Sequence, residues 1–171
     1  MIAAIGAVAA NGALGLDNWL PWDIPEELAY FERMIEGAAL LIGRLTYESM
    51  AVVPEEAFVV TRQSAQKLRP GCTAVASVEE GLARALATGK PVFVIGGASI
   101  YAAAWPYCDY FYLTRIERDF IGDANFPDTI PLDTWPVLEE RAETYRELKT
   151  GEMVRCRFLK YAQPLPTPLP G

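Results

Sequence analysis

The chain reads as an α/β protein built on a mainly parallel central sheet, with flanking helices and an antiparallel C-terminal edge strand. Two observations predict this. Apolar, β-branched runs alternate with helical patterns through the first hundred residues, and after Asp109 the runs lengthen and lose the helices between them. The scale agrees: 171 residues, 51% of them hydrophobic, suit one core and leave little room for another. Residues 1–161 are therefore expected to form a single domain.

The first run, Ile2 to Val8, is a buried strand rather than a secretion signal, because no Lys or Arg precedes it and it is short for that role. A Gly-containing loop with Trp19 and Trp22 leads to a helix, Pro25 to Glu36, opened by its proline. Strand Ala38 to Ile42, helix Arg44 to Met50 and strands Ala57 to Thr61 and Thr73 to Ala76 follow. Helix Val78 to Thr88 is closed by Gly89, and after strand Pro91 to Ile95 a helix from Ala98 to Trp105 ends against Pro106. Three longer strands complete the sheet: Tyr110 to Glu117, Val137 to Arg146 and Met153 to Tyr161, the last two joined by a turn at Gly151-Glu152. The end, residues 162–171, has Pro at every second position from Pro164 to Pro170, which forbids strand or helix and predicts an extended, disordered tail.

Composition excludes several functions. A net charge of −7 repels a phosphate backbone, so no nucleic acid is expected. No run is long enough for a membrane span. The three cysteines, Cys72, Cys108 and Cys156, form no CxxC pair, which argues against a disulfide framework or a zinc site and fits a reducing cytoplasm. There is no histidine, so Ser-His-Asp triads and most catalytic metal sites are absent and no metal is expected. Carboxylates, Tyr, Lys or a bound cofactor must carry any chemistry.

Three stretches are candidates. In "NWLPWDIPEELAYFERM" helical spacing puts Glu27 on one face with Tyr30, Phe31 and Met34, while Glu26 turns away. Two acids in a first turn are ordinarily partners of the helix dipole. An acid on an aromatic stripe is, however, desolvated until a partner arrives, and Trp22, Tyr30 and Phe31 would make a flat pocket for a ring. In "VFVIGGASIY" a strand ends in Gly96-Gly97 before a helix, either a plain tight turn or a seat for a diphosphate. "LLIGRLTYESM" offers a second such place at Gly43, Arg44 and Thr46, which Arg62 could join.

Together with "YLTRIE" and "GDANFP", these motifs resemble the dihydrofolate reductase family in order and spacing over nearly residues 1 to 161. The resemblance implies that family's fold and an NADPH-dependent reduction of a 7,8-dihydropterin to the tetrahydropterin. It makes Glu27 the acid that binds the pterin, by two parallel hydrogen bonds from the ring's amino group and adjacent NH. Leu20, on a mobile closing loop, and Trp22 complete the catalytic set. Ile5, Ala7, Leu28, Phe31, Met50 and Thr114 would line the pterin pocket with Glu27. The cofactor positions would be Ala7, Asn18, Gly43, Arg44, Leu45, Thr46, Thr61, Arg62, Ile95, Gly96, Gly97, Ala98, Ser99, Ile100 and Tyr101. Arg44 and Arg62 suit a 2′-phosphate, which favours NADPH over NADH, although Ser99 stands where many relatives carry a basic residue.

One stretch departs from the family. "SMAVVPEEAFVV" is about two residues short by our alignment and lacks the Arg that forks onto the glutamate tail of folate. Glu55 and Glu56 stand in its place, and no Arg occurs between Arg44 and Arg62. That loss favours a pterin without a glutamate tail, such as dihydromethanopterin, with dihydrofolate as the close alternative. A non-catalytic NADPH-binding protein is the remoter one. A monomer or homodimer in the cytoplasm, acting on a small dihydropterin, completes the expectation.

Overall fold

The computed structural model of the chain describes residues 1–53, 56–62 and 68–171. Its strands are β1 (Ile2–Ala9), β2 (Ala13–Gly15), β3 (Ala39–Gly43), β4 (Ala57–Val60), β5 (Cys72–Val75), β6 (Val92–Val94), β7 (Tyr110–Ile116), β8 (Ala124–Asn125), β9 (Val137–Arg146) and β10 (Met153–Ala162). The helices are α1 (Pro25–Ile35), α2 (Arg44–Ser49), α3 (Val78–Ala87) and α4 (Ala98–Ala104). Eight strands form one sheet in the order β5-β4-β3-β6-β1-β7-β10-β9. Every pair up to β7 is parallel, whereas β10 runs antiparallel to both β7 and β9 and makes the C-terminal edge hairpin.

The parallel strands are apolar throughout because both of their faces are covered. One core, including Leu41, Phe58, Leu82 and Phe111, lies toward α3 and α4, and another, including Leu40, Ile42, Val59 and Phe93, holds Tyr30, Phe31 and Met34 of α1 and Tyr47 of α2. Ser77 caps α3 by accepting from the Glu80 amide. Edge strand β9 is exposed nearly throughout, and its run of Glu139, Glu140, Arg141, Glu143 and Arg146 discourages pairing with another chain.

Two features differ from the sequence reading. The pair β2–β8 went unpredicted, since strands of three and two residues carry no legible period. The tail is extended but, contrary to the expected disorder, docked. Gln163 donates from Nε2 to the carbonyls of Trp105, Pro106 and Cys108 at 3.0, 3.3 and 2.6 Å. The Thr167 amide donates to the Pro106 carbonyl, and Leu169 packs on the core. The prolines that rule out helix and ladder leave this polyproline-like strap free to use the few amides and side chains it has. Among the described residues no helix is long and apolar enough to cross a membrane.

Candidate active site

A cleft of about 920 Å³ opens where the parallel strands end, with walls from β1, β3, β4 and β7, from the turn after β6 and from the starts of α1, α2 and α4. Glu27 is in its wall. With Pro25 at the first helical position, the Glu27 and Leu28 amides both donate to the Ile24 carbonyl, so the first turn is fixed and aims Glu27 inward. Glu26 is exposed and Glu27 only 5% so. Burial pushes the Glu27 carboxyl up to about 7, partly countered by the Trp22 indole N–H beside it. Ile5, Ala7, Leu28, Phe31, Met50 and Thr114 line the same cleft, and Tyr30 adds a ring that meets Phe158 edge-on at 4.7 Å.

Trp22 corrects the sequence reading. It is absent from the cleft wall, buried behind Glu27 among Ile24, Ile116 and Phe158, with Phe120 edge-on at 5.6 Å. Its Nε1 is buried with no hydrogen-bond partner in the protein. The indole therefore packs among these side chains instead of flanking a ring.

At the other end of the cleft two turns meet. The Gly43 amide donates to the Gly96 carbonyl at 2.8 Å, which sets the starts of α2 and α4 side by side, and neither helix has a side-chain cap. Close approach requires glycine here. A Cβ on Gly43 would come within 2.9 Å of Ile100 Cγ1, and one on Gly97 within 3.2 Å of Thr46 Oγ1. Gly96 has φ +108. Tyr101 holds the turn against β1 through a buried 2.6 Å hydrogen bond to the Ile5 carbonyl, and Gly6 leaves room for its hydroxyl. Leu45, Thr46, Thr61, Arg62, Ile95, Ala98, Ser99 and Ile100 complete this wall with Arg44, whose guanidinium donates to Glu48 at 2.9 Å. Uncapped helix starts, glycine cradles and two Arg side chains fit a nucleotide diphosphate with an added phosphate.

The loop between β1 and α1 roofs the cleft. Asp17 and Asn18, at φ +51 and +63, form a tight turn in which Leu16 and Trp19 exchange backbone hydrogen bonds, leaving Asn18, Trp19 and Leu20 on the wall. Asp123 anchors it by accepting from the Asp17 amide at 3.0 Å and donating to the Gly15 carbonyl. Leu14, Gly15, Trp19, Asp123 and Ala124 also line the cleft. Sequence reasoning gave them no role, and the only signal was "GDANFP", whose Asp123 and Ala124 meet the roof through β8.

At the end expected to meet the substrate tail, Glu56 does not face the cleft. Glu56, at φ +62, turns to Lys90 at 3.8 Å and is absent from the wall. Glu55 lies outside the described residues. Arg69, distant in sequence and likewise absent from the wall, comes to α2. Its amide donates to the Tyr47 hydroxyl at 2.8 Å, its guanidinium lies 4.9 Å from the Tyr47 ring centroid, and one of its terminal nitrogens is buried without a partner.

A family model for dihydrofolate reductase matches residues 1–163. The chain belongs to the dihydrofolate reductase family. It is 38% identical over 130 residues to the dihydrofolate reductase of Bacillus subtilis, covering 75% of this chain and 76% of that one. It is 36% identical over 163 residues to that of Neisseria meningitidis serogroup B, covering 94% and 98%. Among solved structures, dihydrofolate reductase from Enterococcus faecalis, complexed with NADP(H) and RAB-propyl, superposes with a TM-score of 0.81 at 27% identity over 96% of each chain. As a member of the dihydrofolate reductase family, the chain is an oxidoreductase of the type acting on CH–NH groups.

Proposed function

We propose that the protein reduces a 7,8-dihydropterin to the 5,6,7,8-tetrahydropterin with NADPH. The observation that carries this reading is Glu27, a nearly buried carboxyl titrating near 7 in the wall of a cleft whose far end is built for a dinucleotide. NADPH, when bound, supplies the hydride for the pterin C6. The residues supply the rest. As a carboxylate, Glu27 accepts two hydrogen bonds from the amino group and ring NH and so fixes which edge of the pterin enters. Near neutral pH it also holds a proton that can be passed through water to the pterin N5. Phe31, Leu28 and Met50 hold the ring, and Trp19 and Leu20 keep bulk solvent from the reacting atoms. Arg44 and Arg62 favour NADPH over NADH.

For the substrate's tail, the missing Arg supports a pterin without glutamate, of the dihydromethanopterin type. Dihydrofolate is the second reading. The relatives are named for its reduction, and Arg69 with its unpartnered guanidinium nitrogen offers a replacement anchor. Parallel kcat/KM measurements on dihydrofolate and dihydromethanopterin decide between them. A large preference for dihydromethanopterin, unchanged in Arg69→Ala, supports the first; efficient use of dihydrofolate, lost in Arg69→Ala, overturns it. Absence of turnover with any dihydropterin would leave a nucleotide-binding protein only.

A further inference from the structure

Tyr30 lies one turn after Glu27 on α1, and its ring lines the same end of the cleft. It packs against two cores at once, the one beneath α1 and the cluster of Trp22, Ile24, Ile116 and Phe158. A half-buried ring in a cleft wall keeps its place only if something backs it. Phe158 does so edge-on at 4.7 Å, and the rest of the backing comes from edge strand β9.

Register carries β9 to the cleft. Ala7, Thr114, Phe158 and Arg141 stand directly opposite one another on β1, β7, β10 and β9, and opposite residues share a face of the sheet. Ala7 and Thr114 belong to the cleft wall, so Phe158 and Arg141 continue that face outward. The Arg141 guanidinium lies over two rings, its carbon 4.0 Å from the Phe158 centroid and 5.5 Å from that of Tyr30. Acids were nearer in sequence. Glu139, Glu140 and Glu143 are its neighbours on β9, yet among the described residues no carboxylate pairs with Arg141, while Arg157 takes Glu140 at 2.7 Å. A guanidinium in this place holds both rings through its charge and its flat face together. We propose that Arg141 is a positioning residue for the Glu27 end of the cleft: from a strand otherwise given to solvent it clamps the Tyr30 ring against Phe158, and so fixes the wall against which the substrate ring is held. The clamp exists in the free protein. Only its consequence for substrate rests on the dihydropterin-reductase reading.

The test compares Arg141→Met, which keeps an apolar stem and loses the cation, with Arg141→Lys, which keeps a cation of the kind that Lys160 lays over Tyr110 and Tyr112 at 4.5 and 5.4 Å. Both changes fall at an exposed position. In the ligand-free full chain with ¹³C-labelled tyrosine, the Tyr30 ring signals, assigned with Tyr30→Phe, should be displaced by the ring of Phe158. In Arg141→Met they should move toward the values of free tyrosine, while those of Tyr107, on the opposite core, stay put. In Arg141→Lys they should move less. With saturating NADPH, KM for the dihydropterin should rise about fivefold in Arg141→Met, the scale of a lost exposed cation–π contact, and by less in Arg141→Lys, with the NADPH KM unchanged in both. A lower Tm in Arg141→Met with native Tyr30 signals and a native KM would mean that the residue only supports the hairpin, and would overturn the proposal. Equal losses in the two variants would overturn it as well, because the cation would then explain nothing. No turnover by the unmodified protein would instead sink the reductase reading and leave the Tyr30 signals to decide the clamp.

Discussion

Replacing Glu27 with Gln should stabilise the protein in a pH-dependent way while removing most activity. The folded carboxyl titrates near 7 because burial disfavours the charge, against an ordinary value of 4.5 in the unfolded chain. Between those values the folded state binds the extra proton, so stability falls as pH rises from about 4.5 to 7 and stays reduced above. The gap corresponds to roughly 3 kcal/mol at pH 8 and to almost nothing below pH 4.5. Gln keeps the volume and has no charge to bury, so the variant should gain up to about that amount at pH 8 and little at pH 5, where most of the native Glu27 is already protonated. Chemical denaturation at several pH values reads this directly. The same titration governs turnover, because the acid form holds the proton for N5; the rate should fall about tenfold per pH unit above 7 in the native enzyme and lose that dependence in the variant. Equal stabilities of the two proteins at pH 8, or a native pH profile in Glu27→Gln, would refute the reasoning.

At the cofactor end, Arg44→Ala and Arg62→Ala should each weaken NADPH binding at least tenfold and NADH little, as expected for a charge-assisted contact of about 1.5 to 3 kcal/mol, with fluorescence titration as the check. Equal losses for both cofactors would assign these residues to the diphosphate or the fold. Gly43→Ala should part the starts of α2 and α4, because its Cβ would meet Ile100 Cγ1 at 2.9 Å; cofactor affinity should fall, with a stability cost of about 1 to 3 kcal/mol by thermal denaturation. Gln163→Ala should lower stability by roughly 1 to 2 kcal/mol, because three carbonyls lose their shared donor, and leave kcat unchanged.

Most of the fold was legible because the strands are covered on both faces, so their sequence is apolar without interruption and the helices between them carry their own start and stop residues. Val137 to Arg146 is the exception that proves informative. It is exposed nearly throughout and was read with the Gly151-Glu152 turn that joins it to β10, not from an apolar face of its own. The pair β2–β8 escaped because its only signal is tertiary: Gly122 and Ala124 lie against Gly15, contacts that bridge a hundred residues.

The site divides in the same way. Glu27 and the two glycine turns were readable since spacing along one helix, or Gly at a strand end, places them without knowledge of anything distant. The tail end of the cleft is less legible for the opposite reason. Counting Arg residues between Arg44 and Arg62 assumes that a guanidinium must come from the loop where relatives keep theirs, yet β5 pairs with β4 and brings the chain before Cys72 beside Tyr47. Likewise Glu56 looked like an acid facing substrate until the start of β6 supplied Lys90. A local deletion in a parallel sheet can be answered from the next strand over, so the charge at such a mouth is a property of neighbouring strand starts and not of one loop. If Arg69 performs that answer here, the shortened loop and the dihydrofolate reductase relatives are compatible; if Arg69→Ala changes nothing, the loop's loss is a true change of substrate.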